Sequence, residues 1–301
     1  MEVSFNETIY WYEIYASANL PSKRFAKVSM SETTATQGGT RTEFARTGAE
    51  KPRDRFQFDS TSRASDKRCW ALEPTIPAMG TLYLVRHGQA SFGAANYDQL
   101  SPRGHEQAVR LGAYWRERGQ RFDAVLTGTL HRHAQTLAGI AEGLGGAPEA
   151  HALPGLNEYD SEALIRAIHP EPLPRPDTPE LYRQHFRLLC DALAQWMGGT
   201  ISPQGMPDWE RFAGGVRAAL DLVRRQHAGQ NVLLVSSGGP ISAAVGQVLG
   251  TAPEVTIALN MRIRNSAVTE FSVSPKRLML QTFNTLPHLD TPEHRDWITH
   301  A

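Results

Sequence analysis

Cysteine is scarce in this sequence, which has only Cys69 and Cys190, far apart along its 301 residues. Such distant cysteines do not form the closely spaced framework of a disulfide-stabilised secreted domain. The sequence also has no apolar run of about 18 residues, the length that a helix needs to span a bilayer. The apolar stretch at residues 10–15 is short and carries a charge, so it is not a signal-peptide core. We therefore expect a cytoplasmic protein with no membrane partner.

The chain also has no net charge at pH 7 when its histidines are neutral. The sequence has 31 Lys and Arg residues and 31 Asp and Glu residues, so the strongly basic balance typical of nucleic-acid-binding proteins is absent. Hydrophobic residues make up 41% of the chain and charged residues 21%, which is ordinary for a soluble globular protein. We expect a folded protein that does not bind nucleic acid.

Regular apolar spacing is lacking in the first quarter of the chain. Residues 22–68 are rich in Ser, Thr, Arg and Gly, and their apolar residues are too sparse to bury a face. We expect residues 1–78 to be a disordered extension, although a basic segment of this kind could instead contact an anionic partner. Met79 directly precedes the first expected strand, as a natural start would. We therefore also expect translation to begin at Met79, which makes the upstream segment a dispensable leader or an extension wrongly assigned to the gene.

From Met79 onward, expected strands alternate with expected helices, the pattern of an α/β layered domain. We assign residues 79–290 to this domain and residues 291–301 to a C-terminal tail. The expected strands are 81–86, 122–126, 231–235, 266–273 and 278–283. The expected helices are 102–119, 130–144, 179–197, 208–226 and 238–249, with a proline-rich loop at 170–179.

The tripeptide Arg86, His87 and Gly88 follows directly on the apolar run at 82–85, which predicts a buried strand. Open α/β sheets form their ligand crevices at the carboxyl ends of strands, so the tripeptide stands where a ligand would bind. A neutral imidazole can attack phosphorus, and a neighbouring arginine can hold two phosphoryl oxygens at once. A structural histidine at a strand end is the alternative interpretation of the tripeptide alone.

Two further polar segments follow downstream. Residues 132–136, Arg-His-Ala-Gln-Thr, lie early in a predicted helix, from which Arg132 can point into the crevice. Residues 156–158, Leu-Asn-Glu, place a carboxylate in a loop. His131 and His133 flank Arg132, and a His-x-His pair can bind zinc, but the sequence clusters no further ligands near them. We interpret both as flanking polar residues, one of them lining the pocket.

Taken together, these segments resemble the histidine phosphatase superfamily, which includes the cofactor-dependent phosphoglycerate mutases and many broad phosphatases. The resemblance extends from about residue 81 to residue 289. The segment 100–108, Leu-Ser-Pro-Arg-Gly-His-Glu-Gln-Ala, resembles the start of a family helix. The resemblance implies a phosphoglycerate mutase-like three-layer α/β/α sandwich with a mainly parallel central sheet.

The resemblance also implies a role for each residue of the site. His87 is the expected nucleophile, Arg86 and Arg132 clamp the phosphate, and Glu158 is the general acid and base. Glu162 is the fallback for the last role, although a charge on a helix surface is the simpler interpretation. No metal or nucleotide cofactor is called for, because the arginines supply the positive charge that a magnesium ion provides in other phosphoryl-transfer enzymes.

The segment 235–239, Val-Ser-Ser-Gly-Gly, is the departure from the family pattern. The family has a strand ending in His-Gly-Gly here, and Ser237 stands at the place of the second histidine; aligning Ser236 there is the alternative. A serine hydroxyl can donate one neutral hydrogen bond, and Gly238 at a helix N-terminus can offer its backbone N–H to an anion. We expect Ser237 and Gly238 to contact the substrate. His133 or another pocket histidine could compensate for the missing imidazole.

Two sequence differences favour phosphatase over mutase activity. The phosphoglycerate mutases carry an arginine after the acidic glutamate and a His-Gly-Asn segment at the second site, whereas this chain has Tyr159 and Ser237-Gly238-Gly239. We expect a phosphomonoester hydrolase acting on a small phosphorylated metabolite or a phosphoprotein. The alternatives are a phosphate-ester-binding protein with vestigial catalysis and, less favoured, a mutase. The segment between Glu158 and residue 231 is expected to cover the site and set specificity.

Overall fold

The computed structural model describes residues 79–91, 98–174 and 177–300. Residues 1–78, including Cys69, lie outside these ranges, and so do the expectations stated for them. Among the helices in the described residues, none combines the length and the apolar character that crossing a membrane requires.

Six strands form one sheet in the order β3-β2-β4-β1-β5-β6. Three neighbouring pairs, β1 with β4, β4 with β2 and β2 with β3, are parallel, and β5 pairs antiparallel with both β1 and β6. The predicted fold class, a mainly parallel sheet flanked by helices, is therefore confirmed. The strands are β1 (Gly80–Arg86), β2 (Ala124–Thr127), β3 (Ala150–Ala152), β4 (Asn231–Ser236), β5 (Val268–Val273) and β6 (Leu278–Thr285).

Seven helices and two short 3₁₀ turns connect these strands in the described residues. The helices are α1 (Pro102–Glu117), α2 (His131–Leu144), α3 (Ser161–Ile168), α4 (Pro179–Met197), α5 (Trp209–Gln226), α6 (Gly238–Leu249) and α7 (Pro253–Asn260), and the turns are Pro154–Leu156 and Pro292–Trp297. The start of α1 follows the sequence prediction: Pro102 is its first residue, and the Ser101 hydroxyl accepts a hydrogen bond from the Gly104 N–H at 3.1 Å.

Alternating side chains of the central strands fill two separate apolar cores, one on each face of the sheet. Leu82 and Leu84 of β1 belong to the larger core, which α5, α6 and the buried Trp196 of α4 complete. Val85 of β1 belongs to the other core, with the apolar stripe of α1 and Ile140 of α2. Because successive side chains of a strand point to opposite faces, helices cover both sides and produce three layers.

Short elements and strand ends are where the structure departs from the expected boundaries. The strand β3 and the helices α3 and α7 were not expected; β3 has three largely exposed residues and therefore no apolar run to reveal it. The strand β5 begins at Val268 rather than at 266, because Ser266 adopts a positive φ of 56° and interrupts the extended backbone. The strand β2 begins two residues later than expected and ends one residue later.

The last described residues pack against the domain. The Gln107 side-chain amide donates to the Trp297 carbonyl at 2.6 Å and to the Thr299 hydroxyl at 3.0 Å, and the Asn265 N–H donates to the Thr299 carbonyl. Gln107 also accepts from the Gln89 N–H at 2.9 Å. One buried amide thus links the C-terminal segment to the loop that follows β1. A domain boundary at residue 290 stays a prediction.

Candidate active site

The site lies where the two central parallel strands end. Arg86 and Ser236 are register partners on β1 and β4, and the His87 N–H donates to the Ser236 carbonyl at 2.9 Å. The next residues, His87 and Ser237, therefore leave the sheet side by side at its carboxyl edge. This is the edge at which parallel sheets bind ligands, as the sequence predicted.

A tight backbone contact fixes the turn after His87. The N–H of Gly88 donates to the Thr136 hydroxyl at 3.1 Å, and a Cβ atom on Gly88 would lie 2.3 Å from the Gly104 carbonyl oxygen. Only glycine permits this approach of the turn to α1. The Thr136 hydroxyl in turn donates to the Arg132 carbonyl at 2.7 Å, so the turn after His87 and the first turn of α2 are held together.

A hydrogen bond defines the tautomer of the His87 ring. Its Nδ1 lies 2.7 Å from the Gly88 carbonyl, and because a carbonyl can only accept, Nδ1 carries a proton; in the neutral ring Nε2 then keeps its lone pair. Burial, together with the charges of Arg86 and Arg132 and the neighbouring His133, holds the pKa of His87 well below its ordinary value. The side chain is 2% exposed.

The two arginines reach the site from different elements and are both buried. Arg86 ends β1, and its Nη1 donates to the Ile263 carbonyl. Arg132 lies in the first turn of α2, and its Nη1 donates to Asp98 Oδ1 at 2.9 Å. The charges of both guanidinium groups act on His87 and on Glu158, so the four predicted residues lie near one another rather than in separate regions.

Asp98 was not expected in the site. Its carboxylate accepts the backbone N–H groups of His131, at 2.9 Å, and Arg132, at 3.3 Å, as well as the Arg132 side chain. Burial raises the pKa of Asp98, but these hydrogen bonds and the Arg132 charge outweigh it and hold the pKa below the ordinary value. Asp98 therefore caps the N-terminus of α2 as an anion and orients the guanidinium.

Glu158 lies at the N-terminus of α6. Both of its carboxylate oxygens accept the Gly239 N–H, at 3.1 Å each. Burial raises the pKa of Glu158 above its ordinary value, although the hydrogen bond from Gly239 and the charges of Arg86 and Arg132 oppose the rise. The fallback residue, Glu162, is exposed and pairs with Arg166 at 3.4 Å on the surface of α3.

Ser236 and Ser237 point to different partners. The Ser236 hydroxyl donates to the Leu156 carbonyl at 2.7 Å, whereas the Ser237 hydroxyl lies 2.7 Å from His133 Nε2. Of the two serines considered for the second site, Ser237 is thus the one directed towards the histidine that neighbours His87. Gly238 follows as the first residue of α6.

Comparison with known proteins confirms the resemblance seen in the sequence. The model of the histidine phosphatase superfamily (branch 1) matches residues 82–286. The chain belongs to this superfamily. The match covers the strand that carries Arg86 and the loop that carries Glu158.

Individual relatives of this superfamily member include mutases and phosphatases. The chain is 29% identical over 220 residues to "Probable phosphoglycerate mutase GpmB" of Photorhabdus laumondii, covering 70% of this chain and 95% of that protein. It is 40% identical over 63 residues to a broad-specificity phosphatase of Saccharomyces cerevisiae, 19% of this chain and 27% of that one. The crystal structure of a phosphoglycerate mutase from Bacillus anthracis shares the fold with a TM-score of 0.51 at 17% identity, covering 70% of this chain and 96% of that one.

Two contacts of this superfamily member cannot be read from the sequence. Asp98 precedes the Leu-Ser-Pro helix start by two residues, but nothing in its local sequence ties it to Arg132, 34 residues away. His133 was visible beside Arg132, yet its partner lies 104 residues downstream. Helical spacing was the available signal for His133: it lies one residue after Arg132 and three before Thr136, which is also buried.

Proposed function

We propose that this protein is a phosphomonoester hydrolase that works through a phosphohistidine on His87. The observation that carries the proposal is the placement of the His87 ring: it lies at the end of a central strand, its Nδ1 is hydrogen-bonded to the Gly88 carbonyl, and the charges of Arg86 and Arg132 act on it. Its Nε2 lone pair is the nucleophile. The expected substrate is a small phosphorylated metabolite or a phosphoprotein.

In the first step, the Nε2 lone pair forms a bond to phosphorus while the bond from phosphorus to the ester oxygen breaks. Glu158, whose pKa burial raises above its ordinary value, gives a proton to the departing oxygen. Arg86 and Arg132 stabilise the charge on the phosphoryl oxygens, for which planar guanidinium groups are well matched. The positive charge that develops on the ring strengthens the hydrogen bond from Nδ1 to the Gly88 carbonyl.

In the second step, the Glu158 carboxylate accepts a proton from water, and the water oxygen attacks phosphorus. The P–N bond breaks, its electron pair returns to Nε2, and inorganic phosphate leaves. His87 is again neutral and Glu158 again protonated. The sum of both steps is hydrolysis of the ester, and one difficult displacement has become two easier ones.

The residue after Glu158 supports hydrolysis over mutase chemistry. Tyr159 packs its ring against Trp196 and Phe212, and its hydroxyl accepts from the Asn260 amide at 2.8 Å. This position therefore brings an uncharged side chain, turned into the apolar core, and contributes no cation to hold a second phosphoryl group. Because the relatives include both phosphatases and mutases, the preference for hydrolysis rests on the residues of this chain.

A second candidate function is binding of a phosphate ester without turnover. Ser237 favours it, since this position offers an uncharged hydroxyl while the two arginines that would hold the phosphate are in place. Such a protein would act through a partner that responds to the bound ester.

Hydrolysis of p-nitrophenyl phosphate by the full chain separates the two functions. We expect turnover that His87→Ala abolishes and that His105→Ala leaves unchanged, because His105 is an exposed histidine of α1 paired with Glu142. Binding of inorganic phosphate, measured by calorimetry, without His87-dependent turnover would support the second function. Turnover that survives His87→Ala would refute the phosphohistidine proposal.

A further inference from the structure

His133 and Ser237 form a buried hydrogen-bonded pair beside the nucleophile. The His133 Nε2 lies 2.7 Å from the Ser237 hydroxyl, and both residues are 0% exposed. The centroids of the His87 and His133 rings are 5.9 Å apart. The pair thus links the first turn of α2 to the end of β4, directly next to the ring that would carry the phosphoryl group.

The Ser237 hydroxyl is not used by the helix that follows it. Ser237 is the N-cap residue of α6, where a serine hydroxyl commonly accepts the N–H of the second or third helical residue, but it makes no capping bond. The third residue is Pro240, which has no N–H to give, and the N–H of the second, Gly239, goes to Glu158. The Glu158 carboxylate therefore caps α6, and the Ser237 hydroxyl is hydrogen-bonded to His133 instead.

The surroundings of His133 define the direction of the pair's hydrogen bond. Burial and the Arg132 charge lower the pKa of His133 to about 3, with a smaller opposing effect of Asp98, so the ring is neutral and carries one proton. Its Nδ1 is buried against Gly128 and has no hydrogen-bond partner among the described residues. A buried N–H without an acceptor is rarer in proteins than an unused acceptor. The proton therefore lies on Nε2, which donates to the Ser237 oxygen.

A hydroxyl oxygen that already accepts one hydrogen bond has its own proton to donate elsewhere. We infer that His133 is a positioning residue that turns the Ser237 hydroxyl into a donor to the phosphoryl group transferred to His87. The inference rests on the proposed hydrolase function. Since His87 and Ser237 follow register-paired residues of β1 and β4, a phosphoryl group on Nε2 would lie at the edge where the serine emerges.

At the place of the second histidine of the family, this chain thus has a neutral donor made of two residues, His133 and Ser237. The chain of hydrogen bonds, from His133 Nε2 to Ser237 Oγ to the phosphoryl oxygen, moves no proton and stabilises charge only by orientation. Consecutive hydrogen bonds polarise one another in a buried site, so the serine is a better donor with His133 than without it. The pair should matter for the rate of phosphoryl transfer and little for ground-state binding.

Four full-chain variants test the pair with p-nitrophenyl phosphate: Ser237→Ala, His133→Leu, His133→Gln and the double variant Ser237→Ala with His133→Leu. We expect Ser237→Ala to lower kcat about 100-fold with little change in KM, the size found when one oxyanion donor is removed. His133→Leu should lower kcat about 10-fold or more, again with KM unchanged. His133→Gln should restore most of the loss, because its amide can donate from a similar place. The double variant should be no slower than Ser237→Ala.

Each outcome bears on the pair separately from the hydrolase proposal. Wild-type turnover that depends on His87, combined with unchanged kcat in Ser237→Ala or with equal losses in His133→Leu and His133→Gln, overturns the inference alone. Absence of His87-dependent turnover in the wild type overturns the hydrolase itself.

A spectroscopic measurement on the intact protein covers the case in which His133→Leu does not fold. Nitrogen-15 NMR of labelled histidines, with His133 assigned from the His133→Gln spectrum, should show a neutral ring protonated at Nε2. A ring protonated at Nδ1 overturns the inference, because Nε2 would then accept the serine proton that the phosphoryl group needs.

Discussion

The backbone N–H of Gly239 donates to both carboxylate oxygens of Glu158, at 3.1 Å each. The contact is possible because residue 239 has no side chain: a Cβ atom there would lie 2.2 Å from Glu158 Oε1 and 2.7 Å from the Tyr159 ring. The proposed proton donor is thus held by the N-terminus of the same helix that begins beside Ser237. Its position depends on a glycine that takes no part in the chemistry.

Replacing this glycine should displace the carboxylate. We expect Gly239→Ala to lower kcat for an alkyl phosphate about 10-fold or more, since a misplaced general acid loses part of its usual contribution of about 100-fold or greater. Steady-state kinetics with β-glycerophosphate measure the effect. Gly214→Ala is the matched control, because a Cβ atom on Gly214 of α5 would meet no atom within 4 Å. It should keep full activity and raise stability by about 0.5–1 kcal/mol. Equal activity in both variants would contradict the role given to Glu158.

Glu158→Gln should reveal which step needs the proton. An alkyl oxygen needs protonation as it leaves, whereas nitrophenolate leaves readily without it. We therefore expect formation of the phosphoenzyme to slow about 100-fold with β-glycerophosphate and far less with p-nitrophenyl phosphate. Rapid-quench single-turnover kinetics measure the step directly. Equal losses with both substrates would contradict proton donation by Glu158.

The pH dependence of the first step follows from the direction of two pKa shifts. Burial raises the pKa of Glu158, so its acidic form, required for donation, persists above the range of an ordinary glutamate and is lost as the pH rises through that raised pKa. Burial and the arginines lower the pKa of His87, so the nucleophile stays neutral on the acid side of its ordinary pKa. The rate of phosphoenzyme formation from β-glycerophosphate should therefore fall with rising pH, and Glu158→Gln should remove that fall. A pH-independent wild-type rate would count against this assignment.

Lysine should not be able to replace Arg132. The Arg132 guanidinium donates through Nη1 to Asp98, and its charge acts together with that of Arg86 on His87 and Glu158. A lysine ammonium is a single point charge and cannot bridge carboxylate and phosphoryl oxygens in one plane. We expect Arg132→Lys to lower kcat/KM for p-nitrophenyl phosphate about 100-fold. Arg118→Lys, at an arginine stacked on Tyr114 beyond the end of α1, is the control and should leave kcat/KM unchanged.

Buried neutral histidines should make the protein sensitive to acid. Burial lowers the pKa of His133 and of His288 to about 3, whereas each ring titrates near its ordinary 6.5 when unfolded. Below about pH 6.5 the unfolded state therefore binds more protons than the folded state. As the pH decreases further, the free energy of unfolding falls by about 1.4 kcal/mol per pH unit for each such ring. Urea unfolding at several pH values should show this loss, and His288→Gln should make the slope shallower by about that amount. An equal slope in His288→Gln and wild type would contradict the buried neutral state of His288.

Local sequence patterns were sufficient to predict the framework of the site. The apolar run before Arg86 predicted a buried strand and placed His87 at its carboxyl end, and the structure puts it there. The Ser101-Pro102 helix start and the apolar stripes of α1 and α5 were equally readable, because capping and helical periodicity are encoded within a few residues.

Long-range contacts were not predictable in the same way. The pairing of Asp98 with Arg132, and of His133 with Ser237, joins segments that local spacing cannot relate. The exchange of cap partners at α6 was hidden as well, since Ser237 has the appearance of an ordinary N-cap until the structure shows Glu158 in that role. Such contacts follow from how the strands are ordered in the sheet, which a single sequence does not state.

The central claim is that phosphorus becomes bonded to His87. Wild-type protein mixed with p-nitrophenyl phosphate, quenched in alkali within the first turnover and digested, should yield the peptide containing His87 with one added phosphoryl group, detected by tandem mass spectrometry. The modified fraction should rise with the burst of nitrophenol and be absent from His87→Ala. Turnover with an unmodified His87 peptide, or with the phosphoryl group on another residue, would contradict the account.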